Sequence, residues 1–352
     1  MGTDIMGRQG TARISCDALQ LLLEQVFRNA GASWRVAQVL AANCVACERD
    51  GSKSHGVFRI PGYLSSIGSQ WVDATAEPRI EQVGTTFLRV DAANGFAQPA
   101  LAAASPILVE MARQHGVALL AIRNSHHFSS LWPDVEPFAR DGLLALGMVN
   151  SFACTIGFDG KSAVFGTNPL AFAAPREGGD PIVADLSTSA IANGDVQIAA
   201  RQGSSIEEKV GVDRLGRPTI DPNAILDGGA LLTFGGYKGS AVSMMIELFV
   251  AALSGGRFSF EVDWSGHPGA QTPLTGQVVI LIDPDHGRAP SFARRAEILT
   301  RKLYSSGVSR LPGDRRMRQR QRSLSEGIEL DRTEMEYLTR MAAKTGSETL
   351  SA

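Results

Sequence analysis

Residues Ala97 to Gln114 carry a long alanine-rich pattern of helical period. Two residues later, Val117 to Ile122 form an unbroken apolar run of strand length. A strand this apolar is buried, so the middle of the chain needs a sheet covered by helices. More strand patterns surround it. Arg79 to Val83 and Thr86 to Val90 flank a glycine turn, and Leu143 to Val149, Ala163 to Phe165, Leu170 to Ala173, Ile182 to Leu186 and Gln277 to Ile282 follow. Apolar helices are expected at Ser240 to Leu253, closed by Gly255-Gly256, and at Pro290 to Tyr304. Strands and helices alternate irregularly, which predicts an α/β fold with a mixed sheet.

The two ends read differently. Cys16 to Ala30 repeats at helical period and stops at Gly31, and Ser33 can cap a second helix that runs to about Gly51. A further helical segment runs towards Ser69, and Glu326 to Ala343 predicts a last, more polar helix. The expected organisation is therefore a smaller helical domain from residues 12–75 and 295–352, with a mixed α/β domain over 76–294.

Apolar residues at 44% and charged residues at 20% describe an ordinary globular chain. A net charge of -2 gives no reason to expect nucleic acid or an anionic membrane as partner. No apolar run is long enough to span a bilayer, and Met1-Gly2-Thr3-Asp4 does not open a secretory signal. Cys44 and Cys47 form a lone C-x-x-C inside a helical pattern, without the second pair that zinc requires. They read as buried thiols, and the setting as cytoplasmic and reducing.

The densest chemistry lies in Ser54-His55-Gly56-Val57-Phe58-Arg59. If this run is helical, His55 and Arg59 stand at i and i+4 on one face. Arginine grips a carboxylate in two parallel bonds while histidine handles a proton at the neighbouring atom. On spacing alone, a helix end with a solvated arginine and a satisfied histidine is the favoured reading. Adjacent Ser54 and His55 are poorly placed as nucleophile and base, and no G-x-S-x-G elbow exists. The G-x-G-x-x-G fingerprint is absent. Gly235-Gly236-Tyr237-Lys238-Gly239-Ser240 is not a Walker A loop, yet it offers backbone N–H groups to an anion, or else is a flexible turn.

Asn124-Ser125-His126-His127-Phe128 follows a strand end, where ligand sites gather; one histidine is expected in a pocket and the other in structural bonds. Asp195 either caps a helix or orients an imidazole. The basic run Arg310 to Arg318 is either solvated surface or a phosphate clamp.

Taken in order, Ser54-His55-Gly56 with Arg59 and Tyr63, Asn124 to Phe128, Gly166-Thr167-Asn168-Pro169, Asp185-Leu186-Ser187-Thr188-Ser189, Gly236-Tyr237-Lys238-Gly239 and Leu311-Pro312-Gly313 resemble one family. It is the malate/L-lactate dehydrogenase-type family of NAD(P)-dependent oxidoreductases that lack a Rossmann domain. The resemblance covers nearly the whole chain. Leu131-Trp132-Pro133-Asp134-Val135-Glu136 and the Arg310 to Arg316 stretch are similar to its cyclic-imine reductase branch.

The resemblance implies an L-sulfolactate dehydrogenase-like fold and a homodimer with the cofactor near the subunit contact. It implies NADPH-dependent reduction of Δ1-pyrroline-2-carboxylate and Δ1-piperideine-2-carboxylate, with NADH as the other cofactor. The alternative is a 2-hydroxy-acid dehydrogenase using the same residues. His55 would be the proton donor with Ser54 and Asp195 as relay partners, and Arg59 and Thr167 would meet the substrate. The cofactor would be held by His127, Phe128, Ser129, Ser130, Leu131, Asp185, Leu186, Ser187, Gly236, Tyr237 and the loop Arg310, Leu311, Pro312, Gly313, Asp314, Arg315, Arg316. No metal is implied. Only the stretch 257–275 shows little of the family's pattern.

Overall fold

The computed structural model describes residues 10–287 and 291–344. Its centre is a seven-stranded sheet. The strands lie in the order Arg79–Gln82, Phe87–Phe96, Val117–His126, Leu274–Ile282, Leu144–Val149, Leu170–Ala174, Ile182–Leu186. Phe87–Phe96 and Val117–His126 pair in parallel, and the other neighbours run antiparallel. A parallel pair needs a crossover, which the helix Ala97–His115 supplies. That helix ends at Gly116, whose φ of +82° is the left-handed turn a glycine adopts without cost.

The sheet is covered on both faces, as the apolar Val117 to Ile122 run requires. On one face Leu101, Ala104 and Leu108, with Val135 and Phe138 of the helix Trp132–Arg140, pack on Leu120, Ile122 and Val279. On the other, Ile246 and Val250 pack on Ala121, Met148 and Val278. The two chain ends share a separate core. Leu19, Leu23 and Leu40 of the helices Cys16–Asn29 and Trp34–Arg49 meet Ile328, Leu330 and Leu338. Ser33 caps the second helix as expected, accepting from the Val36 N–H at 3.3 Å. Cys44 and Cys47 are free and buried on it.

Three expectations are corrected. The helix expected at Glu326 to Ala343 starts later: Gly327 turns at φ +86°, Ile328–Asp331 is a strand and Arg332–Ala343 is the final helix, with Asp314–Glu326 a separate, unexpected helix before it. That strand pairs with Thr11–Ile14, a partnership of two four-residue segments from opposite chain ends. The basic run is a helix start rather than a loop from Asp314 onward. Ala163–Phe165 belongs to a separate small sheet with Thr155–Ile156, Ala230–Leu231 and Gly211–Val212. Pro290 and residues 345–352 lie outside the described residues, and the helix expected at Pro290 runs Phe292–Ser305. Among the described residues no helix is long and apolar enough to cross a membrane.

Candidate active site

The Ser54 stretch is not one helix. Lys53–His55 and Val57–Arg59 are two short 3₁₀ turns separated by Gly56. The i,i+4 premise therefore fails, but both side chains still reach the same cavity. The Ser54 hydroxyl lies 3.0 Å from His55 Nδ1. Arg59 is buried; its guanidinium stacks 4.4 Å over the Phe128 ring, and Nη1 donates to Gln197 Oε1 at 3.1 Å. Its Nε is buried without a hydrogen-bond partner. Gly194, at the start of the helix Asn193–Gln202, lies so close that an added Cβ would be 2.6 Å from Arg59 Nη2.

These groups open on one cavity of about 1110 Å³. Around it stand Ser54, His55, Arg59, Thr167 and Asp195, then His127 to Leu131, Asp185 to Ser187, Arg310 to Gly313, Arg315 and Arg316. Asp195 does not cap its helix, whose N-cap is Ala192; it sits in the first turn. No hydrogen bond joins it to His55 among those described. Its charge acts on Arg59 instead, favouring the guanidinium's charged form.

The two histidines part company. His127 lines the cavity with Nε2 2.8 Å from Asp134 Oδ2, whose oxygen also accepts from Gln277 at 2.6 Å. His126 is turned into structure, between Asn94 Oδ1 at 3.1 Å and Thr272 Oγ1 at 3.0 Å. Asp185 has a role the sequence did not indicate. Its Oδ2 accepts from the N–H groups of Leu131 and Trp132 at 3.0 and 2.8 Å, capping the Trp132–Arg140 helix from another strand. Arg316 is likewise committed. It stacks 4.4 Å over Trp132, donates to Val183 O at 3.2 Å and lies 3.5 Å from Glu136. Exposed Arg310 and Arg315 remain at the cavity rim.

Three candidates lie elsewhere. Asp314 faces away, accepting from Tyr304 Oη at 2.7 Å and Leu311 N at 2.8 Å, and so fixes the loop that carries Arg310 to Gly313. Gly236 and Tyr237 open the helix Tyr237–Glu247 outside the cavity. Consecutive positive φ values at Gly235 and Gly236 swing the chain outward there, and Tyr237 is 67% exposed. Conversely, the featureless stretch 257–275 supplies a wall. Trp264, Ala270, Gln271 and Pro273 line the cavity, with the Trp264 ring 5.1 Å from Phe152. Neither aromatic was singled out from sequence, because the contact joins two loops far apart in the chain.

Burial sets the charges. His55 is pushed down to about 3 by burial, then by Arg59 and His127, so its imidazole is neutral. Arg59 falls to about 10 through burial and stays a cation at neutral pH. Burial also raises Asp185, against the two N–H bonds and Arg316. The cavity thus presents a fixed cation beside a neutral imidazole, an arrangement that holds a small carboxylate and accepts a hydrogen bond at the next atom. Its volume exceeds the usual small-molecule pocket of roughly 300–1,000 Å³, leaving room for a second, larger molecule.

A family model described as malate/L-lactate dehydrogenase matches residues 14–339. The chain is 60% identical over 334 residues to a Δ1-pyrroline-2-carboxylate/Δ1-piperideine-2-carboxylate reductase of Pseudomonas syringae pv. tomato, covering 95% of this chain and 97% of that one. It is 55% identical over 326 residues to the similarly named reductase of Pseudomonas putida, covering 93% and 96%. Among solved structures it is similar to the Δ1-piperideine-2-carboxylate reductase from Pseudomonas syringae pv. tomato. The TM-score is 0.92 at 59% identity, covering 94% of this chain and 99% of the other.

Proposed function

The chain belongs to the malate/L-lactate dehydrogenase family, and from that premise we propose that it reduces Δ1-pyrroline-2-carboxylate and Δ1-piperideine-2-carboxylate to L-proline and L-pipecolate with NADPH. As a family member it is an oxidoreductase that works with a nicotinamide cofactor. The observation that carries the substrate is the meeting of His55, Arg59, Thr167 and the Trp264–Phe152 wall in one cavity. Arg59 takes the carboxylate, and the aromatic pair offers an apolar surface to the saturated part of the ring.

The reacting carbon is electrophilic only when the ring nitrogen carries a proton. Neutral His55 suits the task of holding that proton: the iminium N–H donates to the imidazole, which keeps the proton in place as the C=N bond becomes an amine. The Ser54 hydroxyl, 3.0 Å from Nδ1, can accept the Nδ1–H and leave Nε2 free to accept from the iminium. Asp195 sustains the charge on Arg59, which holds the carboxylate beside the imidazole. A bound nicotinamide supplies the hydride. The residues present fit such a cofactor: the cavity has room beyond a small imine, and the exposed guanidinium groups of Arg310 and Arg315 stand at its rim. Arg310 and Arg315 suit a 2′-phosphate, which supports NADPH over NADH. Four free cysteines suit a reducing cytoplasm.

The protein acts as a homodimer in this reading. Tyr237, Met244, Met245 and Leu248 form an exposed apolar face on one helix and its continuation, a surface that a second copy can cover. A second copy covering this face would give Gly236 and Tyr237 their only route to a cofactor, that of the partner. Light scattering should find two chains per particle, and a monomer that still turns over would contradict this arrangement.

The proposal is tested by following NADPH absorbance with each imine and with 2-keto acids. Turnover of the imines and slow or absent turnover of keto acids is expected. Preference for malate or lactate with NAD would replace it with the 2-hydroxy-acid dehydrogenase reading.

A further inference from the structure

Glu48 is a buried carboxylate that no step above uses. It projects from the helix Trp34–Arg49 under the two 3₁₀ turns that carry Ser54, His55 and Arg59. Its Oε1 accepts from the Val57 N–H at 2.8 Å, and its Oε2 is buried with no hydrogen-bond partner. Val57 begins the second turn, so its N–H has no acceptor within that turn and needs one from outside. The contact is tight. A Cβ on Gly56 would lie 2.6 Å from Glu48 Cγ, so only glycine lets the backbone settle on this carboxylate.

A buried carboxylate with a single N–H bond is an expensive way to satisfy one peptide group. Its position beside His55 gives a reason for it. We propose that Glu48 is a positioning residue, which clamps the Gly56–Val57 peptide and so holds His55 facing the cavity. The inference rests on the reading of His55 given above.

Glu48 also brings a titration to the clamp. Burial raises its pKa to about 7, against the pull of the Val57 N–H. The charged groups facing it are Lys53 on the turn and Asp331 and Glu334 on the C-terminal segment; Cys44 and Cys47 lie on its own helix. Lys53 favours the carboxylate, and the two acids oppose it. Above pH 7 the charged carboxylate grips the N–H more strongly than the neutral acid does below it. The clamp is therefore firmer on the alkaline side.

The test uses the full chain with saturating imine and NADPH. Glu48→Ala should lower kcat by ~10–100-fold, the size expected when a catalytic group shifts by about an ångström. NADPH affinity should stay within about twofold, since the Glu48 carboxylate itself bonds to the Val57 N–H and to none of the residues assigned to the cofactor. Glu48→Gln keeps an acceptor oxygen and should restore most of the rate well below pH 7. The ratio of wild-type to Glu48→Gln kcat should then rise as pH passes through 7, a change that a purely structural carboxylate would not produce. Substrate protonation cancels in that ratio. A folded Glu48→Ala enzyme with normal kcat, or a ratio flat across pH 7, overturns the inference. Should Glu48→Ala fail to fold, the Glu48→Gln ratio alone decides. His55→Ala, run alongside, separates the two readings. If it keeps full activity the role of His55 is wrong, whereas a dead His55→Ala beside a normal Glu48→Ala removes only the clamp.

Discussion

Replacing Arg59 by methionine should cripple the enzyme without weakening the protein. The guanidinium is buried, and the burial that takes its pKa from 12.5 to about 10 means that holding it charged costs the empty enzyme about 3 kcal/mol at neutral pH. Methionine removes that cost. It also forfeits the stacking on Phe128, worth about 1–2 kcal/mol when desolvated, and leaves Gln197 Oε1 without its donor, a loss of about 1 kcal/mol. The terms nearly cancel, so the melting temperature of Arg59→Met should be no lower than that of wild type. Function goes the other way. A bidentate pair with the substrate carboxylate supplies two charge-assisted bonds of roughly 1.5–3 kcal/mol each, so kcat/KM for either imine should fall by ~10²–10⁴-fold. Most of the fall should appear in KM, with NADPH affinity unchanged when titrated by fluorescence. A variant that loses stability and activity together, or that binds NADPH as poorly as it binds imine, would refute the reasoning.

Other consequences follow from the same geometry. Trp264→Ala removes one side of the aromatic wall and should cost the larger ring more than the smaller, changing the ratio of their kcat/KM values by ~4–10-fold, as the lost contact of their one differing methylene would; an unchanged ratio would place the ring elsewhere. Arg310→Ala and Arg315→Ala should raise the KM for NADPH far more than that for NADH, and equal damage to both would remove these residues from the phosphate. His126, buried between Asn94 and Thr272, is lowered to about 4, so NMR should find it neutral down to that pH. His55 is lowered further. Both bind protons more readily unfolded than folded, so the stability they contribute above about pH 6.5 should be lost as pH falls towards 4. Urea midpoints that are flat over that range would contradict their burial as neutral groups.

The sheet was readable because one of its inner strands advertises itself. Val117 to Ile122 is apolar at every position, and the strand is covered on both faces so that Ala118, Leu120, Ala121 and Ile122 are buried while Val117 at its start stays exposed. The paired ends were half visible. Their helices have clear periodicity, but Thr11–Ile14 and Ile328–Asp331 are too short to signal a strand until they find each other across the whole chain. Residue types marked His55 and Arg59 as candidates and both line the cavity, while local geometry was misjudged. Gly56 interrupts the helix that the spacing assumed, and a glycine's conformation is set by what approaches it, here Glu48. Asp185 shows the same limit. Its partners, Leu131 and Trp132, lie more than fifty residues away, at 54 and 53 positions, and nothing local marks an aspartate as another helix's cap. Trp264 and Phe152 were silent because a cavity wall built by two loops has no periodicity.

A crystal structure with NADPH and pyrrole-2-carboxylate, an unreactive planar mimic of the smaller imine, addresses the account at its centre. It should place the mimic's carboxylate on the Arg59 guanidinium and its ring N–H on the His55 imidazole, with the ring against Trp264 and Phe152. A carboxylate bound away from Arg59, or a ring nitrogen out of reach of His55, would contradict it.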